Sequence, residues 1–569
     1  MKEHPLRFFE KYSIIPREQQ KRVIDDVYVN WDKYNYFALS CPTGVGKTFI
    51  ATAIASKVEK AYILTSTLQL QNQYEKSWNE LINLKGRGNY TCQLNTAFTV
   101  DAAPCAAQPD LIKMCKRDKL CSYYNQKDRA LKSQSMITNP VYMLYSTHCG
   151  FASEEDTPWV RRSVLIIDEA HNLESHLVSF AESDVDPEML QKEFGINAAA
   201  YKFTGRPEED YMMVVNLQTE LMEKAEEMAK RIENEFPAKK FLDDGEMKSW
   251  ARGMTEKVAE RVRKLNAKAY QLDKAIQPLK IFFNTHDTPE ELSRRWLISK
   301  YSDKNVLKLA PIYGDFLFTE YFGKLADKFV FLSATLGSKN AFCKEIGIEE
   351  EQCLFIETDS PFHPDKSPVI VMPSIKLSKD AYQANVQKVG GLIDHILDIH
   401  SNDRGIVHCV TYDLQTQIFN RVSSKNRKRL LCRDMDTLNG KPAPGMYPKK
   451  FKNGELLELH EKEGADYGSV LLSPSMMEGV DLFDDLSRFQ VIIKLPWSNL
   501  GDARIKIKSQ LDGEWYQNKM WVSILQASGR STRNEDDSSI TYLLDSNFKY
   551  FFSQWEKKLP RWFKDRLVF

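Results

Sequence analysis

Cys41-Pro42-Thr43-Gly44-Val45-Gly46-Lys47-Thr48 and Asp168-Glu169-Ala170-His171 are the stretches whose residue types could do chemistry together. In the first, small residues let successive backbone N–H groups turn inward around phosphate oxygens. A helix that follows would aim its N-terminus at the same charge. Thr43, Gly44, Val45 and Gly46 are the candidate cradle. Lys47 would reach the β- and γ-phosphates of ATP, and the Thr48 hydroxyl would ligate Mg²⁺. In the second stretch Asp168 would hold Mg²⁺, mostly through water, and Glu169 would orient and deprotonate the attacking water. The full phosphate-loop pattern begins with glycine; Cys41 stands there and is read as a permitted small residue. A glycine-rich turn with no ligand is the plainer alternative for the loop, and the acidic pair argues against it.

Both stretches need a strand that ends where they begin. Tyr36 to Leu39 runs into the loop, and Val164 to Ile167 runs into the acidic pair. Ala61 to Thr65 is a further short apolar strand, ending at Thr65-Ser66-Thr67 and followed by a polar segment, Leu68 to Tyr74. Between 85 and 105, Gly86, Gly88, Asn89, Asn95 and Pro104 break any periodicity, which marks an inserted module. From about 206 to 280 the apolar positions Val214, Leu217, Leu221, Met228 and Ile232 recur near helical spacing. An inserted helical domain is preferred there over a coiled-coil rod, because strand sequence resumes at Phe329-Val330-Phe331-Leu332 and ends in Ser333-Ala334-Thr335. Gly405 to Cys409, Val470 to Leu472, Val491 to Lys494 and Ile540 to Leu544 then alternate with helical or loop sequence, as in a parallel α/β domain.

Composition sets bounds and little more. A chain of 569 residues holds two to four domains by its length. With 42% hydrophobic and 27% charged residues it reads as soluble and globular rather than disordered. No apolar run is long enough for a membrane helix, and the N-terminus lacks the apolar core of a secretory signal. A cytosolic location is expected. The 78 basic and 78 acidic residues exclude a strongly basic coat but leave room for a local nucleic-acid groove.

Ten cysteines in such a chain do not suggest a disulfide framework. Cys92, Cys105, Cys115 and Cys121 fall inside one 30-residue window, separated by twelve, nine and five residues. That spacing lacks the paired knuckles of structural zinc. Four thiolates suit a [4Fe–4S] cluster, and zinc stays open as an alternative. Lys113, Lys116, Arg117 and Lys119 interleave with them, either touching DNA phosphates or forming a solvated face. Tyr123, Tyr124, Tyr412 and Trp497 lie near motifs but are not distinguished from core aromatics.

Glu478-Gly479-Val480-Asp481 follows one strand of the second half, and Gln526-Ala527-Ser528-Gly529-Arg530-Ser531-Thr532-Arg533 follows a helical stretch. Arg530 and Arg533, three apart on one side of a helix, could meet a γ-phosphate held by the first half. The order of motifs resembles the DinG/XPD branch of superfamily-two iron–sulfur DNA helicases. The residues that carry it are Arg17-Glu18-Gln19-Gln20, the phosphate loop, Thr65-Ser66-Thr67, the cysteine window, Asp168-Glu169-Ala170-His171, Ser333-Ala334-Thr335, Asp359-Ser360-Pro361-Phe362, Glu478 to Asp481 and Gln526 to Arg533. Cys121-Ser122-Tyr123-Tyr124 leading to Thr138-Asn139 is also similar to DinG. The segment Thr541 to Asn547 departs from the Asp-x-Arg of close relatives.

The resemblance covers nearly the whole chain and implies an α/β fold with two RecA-like parallel-sheet motor domains around ATP. It implies a first motor domain in three parts, 1–84, 135–175 and 306–340, interrupted by an iron–sulfur module at 85–134 and a helical arch at 176–305, with a second motor domain at 341–569. Gln20 would read adenine, Asp481 and Gln526 would join the nucleotide site, and Ser333 with Thr335 would couple hydrolysis to domain movement. The implied activity is 5′-to-3′ movement on single-stranded DNA with separation of forked duplex, by a monomer. Unwinding of RNA or RNA–DNA hybrid, stripping of proteins from a strand, and an ATP-switched scaffold of a repair or transcription assembly are the alternatives.

Overall fold

The computed structural model describes residues 1, 3–106, 110–148, 159–197, 201, 204–235, 243–284, 294–300, 306–377, 381–434, 446–448, 453–476, 482, 484–529, 532 and 537–569. The apolar runs form two parallel sheets, because strands covered by helices on both faces carry no polar face. Among the described residues the first sheet has seven strands, in the order Cys353–Glu357, Tyr36–Ser40, Ala326–Ser333, Arg162–Asp168, Ala61–Leu64, Ser135–Thr138 and Ile82–Asn83. The second has eight, in the order Met446–Pro448, Leu430–Asp434, Val470–Ser473, Gly405–His408, Phe489–Ile492, Ile540–Asp545, Val369–Ile375 and Leu567–Val568. Every pairing in both is parallel.

Register decides where chemistry can sit. Ser40 pairs with Ser333, and Asp168 pairs with Leu332. The strands leading to the phosphate loop, to the acidic pair and to Ser333-Ala334-Thr335 therefore end together on one edge. Carboxyl ends of parallel strands are where open α/β sheets hold ligands.

The expected end of the first motor domain at 340 is too early. Cys353–Glu357 pairs with Tyr36–Ser40 and closes the edge of the first sheet, and Val369–Ile375 is the next strand, in the second sheet. The chain crosses between sheets over 358–368, which contains Asp359-Ser360-Pro361-Phe362. The arch also differs from a purely helical insertion. Its long helices, Pro207–Glu235 and Glu256–Asn284, stand with an antiparallel sheet of Ser183–Val185, Leu307–Pro311 and Trp296–Lys300. Strands of three to five residues are too short for periodicity to betray them.

The cysteine window folds into short turns and two helices, Asp110–Arg117 and Ser122–Lys132. It leans on the arch: Arg117 pairs with Asp118 and with Asp244, Lys248 lies 2.9 Å from Asp118, and Asn95 donates to the Ala251 carbonyl at 3.3 Å. Among the described residues no helix is long and apolar enough to cross a membrane.

The two sheets meet through buried charge. Glu174, from the helix Leu173–Ala181, accepts from Arg504 at 2.5 Å and from Lys508. Lys508 also faces the Trp515 ring at 4.2 Å. Lys519 contacts Glu345 and reaches within 4.0 Å of Glu174. Burial alone would push the Glu174 carboxyl up, but Lys508 and Arg504 hold it well below the usual carboxylate range. Replacing Glu174 by Ala strands two buried cations, which should cost about 3–5 kcal/mol. Equilibrium urea unfolding reads this as a lower midpoint; a wild-type midpoint would contradict the role given to the cluster.

Candidate nucleotide site

The phosphate loop folds as it does because two glycines take left-handed backbone, φ 87° at Gly44 and 88° at Gly46. Gly46 then caps the helix Lys47–Ser56. A cavity of about 500 Å³ opens over this loop. Thr43, Gly44, Gly46, Lys47, Thr48, Gln20, Asp168, Glu169 and Gln526 all line it. Val45 does not: its side chain is wholly buried in the core beneath the loop, so any part it plays is through its backbone. Asp481, Arg530 and Arg533 lie outside the described residues. The helix expected to carry both arginines ends at Ser528.

Asp168 is the buried end of its strand. Its Oδ1 accepts from the Glu169 N–H at 2.9 Å and its Oδ2 from the Tyr74 hydroxyl at 2.8 Å. Burial, then the neighbouring Glu169 charge, push the Asp168 carboxyl up to about 6, with Lys47 opposing. Glu169 takes a left-handed backbone, φ 53°, a conformation that costs a non-glycine residue free energy and clusters at functional sites. The donor set of Thr48 hydroxyl and Asp168 carboxylate is hard oxygen, which suits Mg²⁺.

A polar chain crosses the cleft from the first sheet to the second. His171 Nδ1 lies 2.9 Å from Ser333 Oγ and 3.4 Å from Glu169 Oε2, and Gln526 Nε2 donates to Ser333 Oγ at 3.4 Å. Lys519 donates to the His171 carbonyl at 3.4 Å. Gln20 is held by the Arg17 N–H on its Oε1 at 2.8 Å and donates to the Gly46 carbonyl at 3.3 Å. It thus braces the loop whatever else it reads.

Of three further contributors, Tyr74 and Ile15 were not singled out from sequence, and Phe362 was quoted there only within Asp359-Ser360-Pro361-Phe362. Tyr74 belongs to the helix Leu68–Ser77, whose buried Gln71 and Tyr74 are three apart; that spacing was the available signal. Phe362, in the crossover, packs so closely on Gly44 that a Cβ there would sit 2.1 Å from its ring. Ile15, 91% exposed, stands at the mouth of the cavity beside Ile14 and Arg17; only its apolar exposure marks it out.

Cys92, Cys105, Cys115 and Cys121 line one second pocket, with Leu94, Leu111 and Tyr124 among its walls. Burial and the neighbouring thiols push Cys105 and Cys115 up to about 12. The Tyr124 and Tyr123 N–H groups are directed at the Cys121 sulfur. Among the described residues no group of three or more such donors is already arranged to cage a metal. The donor chemistry, four sulfurs with no carboxylate or imidazole in the wall, is that of an iron–sulfur cluster or a thiolate zinc site. Tyr123 and Tyr124 are themselves buried and belong to the core.

Two family models match the chain, DEAD_2 over residues 60–190 and the helicase C-terminal domain over 393–566. The ATP-dependent DNA helicase CHL1 of Kluyveromyces lactis is 23% identical over 80% of this chain, which spans 60% of that relative's length. A probable ATP-dependent helicase of Methanocaldococcus jannaschii is 22% identical over 94% of this chain and 92% of its own. Among solved structures, an XPD helicase is similar with a TM-score of 0.63 and 15% identity, covering 95% of this chain and 98% of that one. Xpd4 of S. tokodaii gives 0.54 at 15% identity, over 97% and 100%.

Two outcomes follow from the geometry. Gly44→Ala forces a Cβ onto the Phe362 ring in a left-handed turn costing roughly 1–2 kcal/mol, so nucleotide affinity in a fluorescent-ADP titration should drop about tenfold. Gly391→Ala, where a Cβ meets nothing within 4 Å, should leave it unchanged. Separately, Asp168 binds its proton below about pH 6, so Mg²⁺-dependent nucleotide binding should weaken as pH falls through that value. Since the folded carboxyl titrates above its unfolded value, the same proton makes folding more favourable toward acid. Binding that stays constant from pH 7 to 5 would contradict the assignment.

Proposed function

From the premise that the chain is DinG/XPD-like, with the two motor domains of superfamily-two helicases, we propose that it is an ATP-hydrolysing DNA helicase moving 5′ to 3′ on single-stranded DNA. The observation that carries this reading is the single cavity shared by Lys47, Thr48, Asp168, Glu169 and Gln526, contributed by both sheets. ATP would lie with its phosphates on the N–H groups of 43–48 and its base toward Gln20 and Ile15. Thr48 and Asp168 would hold Mg²⁺, which neutralises charge on the β- and γ-phosphates when bound. Glu169 receives the proton of the water that attacks the γ-phosphorus, the bond to the bridging oxygen breaks, and Lys47 stabilises the departing ADP. Arg530, Arg533 and Asp481 complete the site from the second domain in this reading. Loss of the γ-phosphate loosens that side, and the chain His171–Ser333–Gln526 passes the change between sheets.

Cys92, Cys105, Cys115 and Cys121 would hold a [4Fe–4S] cluster that staples a module with little apolar core of its own. The parting of duplex is assigned to the arch and this module, which touch. The substrate is forked DNA duplex and the working form a monomer.

Lys47→Ala should reduce ATP turnover by more than about a hundredfold with an unchanged circular dichroism spectrum; retained turnover contradicts the site. On duplexes with a 5′ or a 3′ single-stranded tail, the protein prepared without oxygen should open only the 5′-tailed one. Opening from the 3′ tail breaks the polarity, and activity on neither favours a protein-stripping translocase or a switch. Cys105→Ser should lose visible absorbance and strand separation together; keeping both removes the cluster.

A further inference from the structure

Tyr74 stands directly behind Asp168 of the nucleotide site. Its helix begins at Thr67, whose hydroxyl accepts the Leu70 N–H at 3.2 Å, and the ring enters the apolar core under the loop, with no exposed surface. Only the hydroxyl emerges from that core. It donates to Asp168 Oδ2 at 2.8 Å. A hydroxyl has one proton to give and lone pairs to receive. Tyr74 gives its proton to Asp168.

We propose that Tyr74 is the positioning residue for the divalent cation of this site, fixing the Asp168 carboxylate with its phenol. With Oδ1 of Asp168 tied to the Glu169 N–H and Oδ2 to Tyr74, the carboxylate plane cannot rotate. The ring, locked by its packing, holds that plane in place. Partners of this kind, one step out from the metal, typically change metal affinity by about 10–100-fold when removed. The inference rests on the reading of the cleft as a Mg²⁺–nucleotide site.

The test is Tyr74→Phe, which deletes one oxygen and keeps the ring in the core. ADP binding is measured by calorimetry with Mg²⁺ and with EDTA, and ATP turnover is followed against Mg²⁺ concentration. The variant should need about tenfold more Mg²⁺ for half-maximal binding and turnover, while ADP binding in EDTA stays at the wild-type value. Gln71→Leu, on the same helix and equally buried, should leave the Mg²⁺ requirement unchanged and controls for helix packing. A wild-type Mg²⁺ requirement in Tyr74→Phe, or an equal shift in Gln71→Leu, overturns the proposal. If wild-type ADP binding is itself indifferent to Mg²⁺, the nucleotide-site reading fails instead, so the two failures are distinguishable.

Discussion

Two adjacent carboxylates must be kept usable at the dry end of a buried strand, and most of the first domain is arranged to do so. Asp168 is nearly inaccessible to water, and burial drives its carboxyl toward the protonated form. An isolated buried carboxylate would neutralise itself. Lys47, the Tyr74 hydroxyl and the Glu169 N–H work against that. The parallel register fixes where these groups stand: the strand ending at Asp168 lies beside the one ending at Ser333, which lies beside the one that enters the phosphate loop. A slip of one residue would turn each of these strand-end groups to the opposite face.

The second domain reaches this pair by polar contact and by buried charge. Gln526 bonds to Ser333, Ser333 to His171, and His171 lies beside Glu169. Lys519 holds the His171 carbonyl while its ammonium also contacts Glu345. Such contacts have a directional geometry, so a small rotation of one sheet against the other makes or breaks them, whereas apolar packing would yield gradually. The phosphate loop has its own link to the crossover through Phe362 on Gly44. The phosphate loop and the covalent connection between sheets are therefore in direct contact.

Much of this was legible in sequence because chemistry-bearing motifs sit at strand ends. Lys47, Thr48, Asp168, Glu169 and Gln526 come together in one cavity, and the 206–280 periodicity corresponds to the helices Pro207–Glu235 and Glu256–Asn284. The crossover was misplaced because Cys353–Glu357 is a short edge strand whose sheet is set by a partner more than 300 residues away. The small sheet at the arch was missed for the same reason: pairing across long separations leaves little local trace. Tyr74 was seen only as the end of a polar segment, since its role comes from tertiary contact with Asp168. The cysteines were recognised by proximity in sequence, and they do line one pocket, but proximity says nothing of whether sulfurs converge.

The proposed function requires that the cleft between the two parallel sheets turn over ATP and that a bound nucleic-acid strand raise the rate. Steady-state ATP hydrolysis, measured with no polynucleotide, with single-stranded DNA and with single-stranded RNA, addresses it most directly. Slow turnover alone and a several-fold or greater rise with single-stranded DNA, exceeding that with RNA, are expected. Turnover indifferent to either strand, or none under any condition, would contradict it.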